Sequence, residues 1–198
     1  MNVKYTLLTI STPLLSLFNC QKSEINKIDK VATATLEMVT LNEDLYYQFN
    51  GMEIGALRCT QKEGIVSIDL AINNFPKGQL SYYHAVYIHT GTCESPLSPW
   101  NLGKDLDYSF CNVLSMGKVW AKPKAGDLGN IFINDAGVGN FNLQTDLYNI
   151  GSNDATDIIG KIIYINEVAE NFTQECYEGH NHYHNNKKIA CGTIELVN

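Results

Sequence analysis

The stretch Tyr82–Cys93, YYHAVYIHTGTC, decides how this chain is read. It alternates like a β-strand and ends in His-Thr-Gly-Thr-Cys, as a metal-binding strand running into a disulfide loop does. Only two of its twelve residues are histidines, His84 and His89. The pattern therefore poses a choice between an active metal site and one that has lost its metal.

Working outward, the neighbouring segments repeat the strand pattern. ATLEMV near Ala34 and GIVSIDLAI from Gly64 alternate or carry β-branched residues, and Gly, Asn, Pro or Lys-Gly signals bound each run. NIFIND, GNFNLQTDLY, IIGKIIYIN and IACGTIELV continue at short spacing, and no segment longer than ten residues has a clear 3.6-residue period. The expected fold class is all-β, a sandwich or barrel. Two long connections interrupt it. The first runs from Thr90 to about Lys124 and contains Cys93, Trp100 and Cys111; the second runs from Glu167 to Lys187 and contains HNHYH. Connections of this length in a compact domain generally carry function.

At 198 residues and 44% hydrophobic, the chain can bury one core and is too short for two comfortable domains. A net charge of -7 without a Lys/Arg block excludes a nucleic-acid partner, since phosphate binding needs clustered cations. Residues 1–19, with Lys4 ahead of an apolar run ending at Phe18, read as an export signal too short to span a bilayer of about 30 Å. LFNC at its end resembles a bacterial lipobox, which makes Cys20 the lipidated residue and residues 20–31 a tether, leaving 32–198 as the domain. The expected location is the bacterial cell envelope, with a membrane reached through the lipid. Outside the cytoplasm Cys59, Cys93, Cys111, Cys176 and Cys191 are disulfide candidates before they are nucleophiles. Asn171-Phe172-Thr173 is a glycosylation sequon, informative only in a secretory eukaryotic host.

In order, HAVYIH with its following Cys, GDLGN (126–130), IIGK (158–161) and IACGTI (189–194) resemble the copper/zinc superoxide dismutase family from about Ala32 to Val197. The resemblance implies an eight-stranded Greek-key β-barrel carrying metals under two long loops. It also implies a Cys93–Cys191 disulfide. Such a bridge closes a loop of nearly a hundred residues, worth about 4 to 5 kcal/mol in the chain-entropy model.

The same resemblance locates the metal positions, and most are altered. Of the four copper imidazoles it implies, the first position is Tyr87, the second is His89, the bridging one has no counterpart because no His lies between Cys93 and Asp127, and the fourth is Asn166. A phenol ionising near pH 10 and a neutral amide are poor substitutes for imidazole on copper. Of the zinc ligands Asp127 alone remains, with Lys124 where a His is implied, and its ammonium repels a divalent cation. Asp127 in Gly-Asp-Leu-Gly then reads as a turn former. Lys188 stands at the position of an anion-guiding Arg, Glu170 near an Asp that links the two metal shells, and His84 at that of a structural His.

His180, His182 and His184 are new. In an extended segment they face one side, a spacing suited to Cu(II), Zn(II) or Ni(II). Cys111 and Cys176, one in each long loop, form one candidate bridge, with Cys59 then a buried thiol; the pairing of these three stays open. Three functions follow. The favoured one is a catalytically degenerate dismutase-fold lipoprotein that binds copper or zinc through the His-rich loop. The second is an active dismutase with a copper site rebuilt from His89 and that loop, and the third is a non-catalytic barrel that binds an unidentified protein partner.

Overall fold

In the computed structural model, which describes residues 30–76, 82–102, 125–169 and 187–197, the alternating runs become ten antiparallel strands. They are β1 (Lys30–Leu41), β2 (Tyr47–Lys62), β3 (Ile65–Ile72), β4 (Tyr83–Gly91), β5 (Pro96–Pro99), β6 (Asp127–Phe132), β7 (Gly139–Thr145), β8 (Ile162–Asn166), β9 (Lys188–Thr193) and β10 (Glu195–Leu196). Eight of these are substantial; β5 has four residues and β10 two, which reconciles the count with the eight expected. No helix forms among the described residues.

The sheet runs β5-β4-β8-β9-β1-β2-β3-β7, with β6 on the same edge of β4 as β5. Because β6 pairs β4 while β7 pairs β3, the hairpin between them curls the sheet back towards itself, pinned by an Ile133–Gly139 bridge. The chain crosses over after β3 and again after β7, as a Greek key requires.

Alternation sorts the side chains. Leu36, Leu57, Leu70, Val86, Ile88 and Ile163 point inward into the main core. Val39, Cys93, Ile162, Tyr164 and Cys191 form a second buried cluster on the other face of the same strands. Strand β8 is buried throughout, which is why its sequence is apolar from Ile162 to Ile165, ahead of the buried Asn166, where β3 alternates. The second crossover is organised by Asp157, whose buried carboxylate accepts the backbone N–H groups of Gly151, Asn153 and Ile159 at 2.8 to 3.0 Å.

Candidate functional site: an outer face of β4, β8 and β9

Most of the stretch YYHAVYIHTGTC forms β4. Tyr87 and His89, two residues apart, project to the face opposite the main core and are 2% and 3% exposed. Their Cα partners on β8 are Tyr164 and Ile162, so Tyr164 lies beside Tyr87, and Asn166, two residues on, shares that face. Lys188 on β9 is the Cα partner of Asn166. The site is therefore built from the alternate residues of three adjacent strands.

His89 is held firmly. Its Nδ1–H donates to the Leu97 carbonyl at 2.9 Å, which fixes the ring, and the neutral tautomer then carries its lone pair on Nε2. The rings of Tyr87 and Tyr164 meet it edge-on at 6.0 and 5.3 Å between centroids. Across the β4–β5 ladder its Cα partner is Pro99. Among the described residues, the oriented imidazole thus sits beside two phenols and a proline.

Tyr164 ties this face to the disulfide. Its hydroxyl donates to the carbonyls of Cys93 at 2.7 Å and Thr92 at 3.2 Å, and burial pushes its pKa well above the usual phenol value. Cys191 is its Cα partner on β9. The expected bridge is present: Cys93 and Cys191 are joined, with Cα atoms 5.8 Å apart and a separation of 98 positions in sequence. Cys59 is a free, buried thiol in the main core, with burial, and secondarily the Asp69 charge, pushing its pKa up to about 12. It is protonated at neutral pH and chemically quiet.

Lys188 is buried with its Nζ 5.6 Å from the Tyr164 ring centroid and 5.9 Å from that of Tyr47, and desolvation pulls its pKa below the ordinary lysine value. Tyr47 comes from β2, so its contribution could not be read from local spacing. Asn166 is 1% exposed; its backbone carbonyl accepts from His84 Nδ1 at 3.0 Å, and its side-chain Oδ1 has no hydrogen-bond partner among the described residues. His84, with its ring against Phe75 at 5.0 Å, plays the structural part expected of it.

Asp127 departs from expectation. The turn occupies Ala125–Gly126, and Asp127 is the first residue of β6, the Cα partner of Tyr87. Gly126 sits at a junction where three segments exchange backbone bonds: Gly126 N–H donates to Trp100 O, Trp100 N–H to Ile88 O and Ile88 N–H to Gly126 O. Strand pairing with β4 thus absorbs Asp127 into the sheet. His180, His182, His184, Cys20, Cys111, Cys176, Lys124 and Glu170 lie outside the described residues.

The donors among the described residues do not fit a copper/zinc pair. Among the described residues no three His, Cys, Asp or Glu side chains converge. The positions around His89 offer a phenol, an amide and a nearby ammonium, none of which replaces an imidazole on copper.

A model of the copper/zinc superoxide dismutase family matches residues 53–194. This chain belongs to the copper/zinc superoxide dismutase family. Solved structures agree on its fold. The clock protein EA4 superposes with a TM-score of 0.58 at 20% identity, covering 84% of this chain and 94% of that one. A superoxide dismutase-like protein from Bacillus subtilis gives 0.55 at 17% identity, covering 81% and 96%. A double variant of that Bacillus protein, with a tyrosine and a proline each replaced by histidine, gives 0.55 at 17%, covering 81% and 95%. No curated protein matches this chain at the sequence level. Identities this low speak for the dismutase fold alone.

Proposed function

We propose that this chain is an exported, lipid-anchored member of the family, attached through Cys20, that has given up the copper/zinc centre and superoxide turnover and binds copper or zinc through His180, His182 and His184. The observation that carries this reading is the outer face itself. Tyr87 and Asn166 stand at two of the copper positions that the family resemblance implies, and both are buried, Tyr87 paired with Tyr164 and Asn166 with Lys188, instead of standing open. A redox copper needs several imidazoles and a solvent path. The Bacillus neighbour supports the comparison: its double variant replaces a tyrosine and a proline by histidine, the two residue types that here flank His89 as Tyr87 and Pro99.

A second reading, a copper site rebuilt from His89 and the His-rich loop, draws on the hydrogen bond from His89 Nδ1–H to Leu97 O. Metal-binding histidines are oriented in this way. One experiment separates the two. The full chain is loaded with copper and zinc, and its metal content and dismutation rate are measured alongside His89→Ala and a His180→Ala/His182→Ala/His184→Ala triple variant. Metal lost only in the triple variant, with no turnover in any protein, supports the favoured function. Turnover in the natural chain that disappears in His89→Ala establishes the rebuilt site instead.

A further inference from the structure

Strands β1 and β2 run past the barrel as a two-stranded ribbon. The last β1 residue paired to β9 is Met38, and the first β2 residue paired to β3 is Gly55. Within residues 39–54 the strand ladder pairs the two strands with each other, Val39 with Phe49, Thr40 with Gln48 and Leu41 with Tyr47, while Tyr47 N–H donates to Glu94 O and the Glu53 and Ile54 carbonyls accept from Asn73 and Asn74 at the base. This ribbon lies almost wholly ahead of Glu53, where the family match begins.

Its surface is unusual for a solvated hairpin. Leu41, Leu45, Tyr46, Phe49 and Met52 are each between 41% and 76% exposed. Leu41 and Phe49 share a face with Val39 and Tyr47, so they extend the buried cluster around Cys93–Cys191 outward into solvent. The tip is tied by Asn42, which accepts from Leu45 N–H and Tyr46 N–H and donates its own N–H to Tyr46 O. That turn forces Leu45 to φ +64°, a conformation that costs a branched apolar residue and suits Gly or Asn. A strained leucine that is 76% exposed contributes nothing to the fold that Asn would not supply more cheaply.

The ribbon is also acidic. No Lys or Arg lies between Lys30 and Arg58, while Glu43 and Asp44 sit at the tip and Glu37 and Glu53 face each other in register at the base. Like charges directly opposite weaken an isolated ribbon, and an incoming cation relieves them. A second copy of this chain, with its net charge of -7, and an anionic lipid surface are both disfavoured by this charge.

We propose that the exposed part of the β1–β2 ribbon, residues 40–53, is a docking surface for a cationic, apolar-alternating segment of a partner protein, with Leu45 and Phe49 as anchors and Glu43, Asp44 and the Glu37/Glu53 pair as the charge match. An added strand presents alternate side chains to such a surface. The proposal stands whether or not the protein binds metal.

The test uses the purified full chain and a synthetic seven-residue peptide alternating lysine and valine, with heptalysine as control, measured by calorimetry and by amide shift mapping. Expected are binding of the alternating peptide, shifts confined to residues 37–53, and little binding of heptalysine. Leu45→Asn should cut affinity about ten-fold or more while thermal stability holds or rises, because it relieves the positive φ. Glu43→Lys/Asp44→Lys should weaken binding to a similar degree and flatten its salt dependence. Phe49→Ser serves as a second apolar variant. No binding, or affinity unchanged in all three variants, overturns the proposal. So does a concentration-dependent dimer lost in Phe49→Ser, which assigns the ribbon to a second copy, or stronger binding to phosphatidylglycerol vesicles than to the peptide, which assigns it to lipid.

Discussion

At Lys188, burial and aromatic faces act in opposite senses. The rings of Tyr47 and Tyr164 favour the ammonium, whereas removal from water disfavours it, and the net direction is a lowered pKa. Between that lowered value and 10.5 the folded state binds fewer protons than the unfolded state, so this lysine makes stability rise as pH rises. Lys188→Met should therefore be more stable than the natural chain at pH 7, with the advantage narrowing towards pH 9.5, ahead of phenol ionisation at about pH 10. Urea midpoints at several pH values check this, and an advantage that grows with pH refutes it. Its neighbour Tyr164 acts through its hydroxyl. Removing the bonds to the Cys93 and Thr92 carbonyls in Tyr164→Phe should cost about 1 to 2 kcal/mol by urea unfolding with the disulfide intact, and an unchanged midpoint would mean that these bonds contribute nothing net.

At the scale of elements, glycine decides both what the sequence disclosed and what it concealed. A Cβ on Gly126 would stand 2.1 Å from Ile88 O and 3.0 Å from Trp100 N, inside the three-way backbone junction. Gly126→Ala should push β4, the Trp100 segment and the start of β6 apart and cost about 3 kcal/mol, read as a lowered urea midpoint together with changed tryptophan fluorescence. GDLGN was legible as a motif, but its glycine turns out to serve close approach and its aspartate to begin a strand. Strand β2, sixteen residues and the longest, escaped the sequence reading altogether. Gly51 and Gly55 resemble turn punctuation there; in fact Gly55 is required because a Cβ would lie 2.2 Å from Ala71 O, and Gly51 sits in the irregular stretch of the β1–β2 ladder at φ +78°. Strands β3, β4 and β8 were legible because burial imposes a period of two or a continuous apolar run.

For the whole molecule, the family frame is present while Tyr87 and Asn166 stand at positions where the resemblance implies imidazoles. The Cys93–Cys191 bridge, the orienting bond on His89 and the Greek-key crossovers are all present. That His89 and Tyr87 share a face follows from alternation alone, but the approach of Tyr47, 141 residues away in sequence, to Lys188 depends on the strand order β9-β1-β2 and no local pattern announces it. If the frame is intact and only the donors are wrong, the site should be recoverable by substitution. Tyr87 is two residues from His89 on the same face and Pro99 is its directly opposed Cα partner, so Tyr87→His/Pro99→His places three imidazoles within about 5 to 8 Å of one another. To keep the His-rich loop from contributing, both this variant and its parent carry His180→Ala/His182→Ala/His184→Ala. The expected result is stoichiometric Cu(II) with nitrogen hyperfine structure in its electron paramagnetic resonance spectrum, absent from the parent. A double variant that folds, keeps its disulfide and still takes up no copper would mean that the loss reaches beyond the ligands into the backbone that positions β4 against β5.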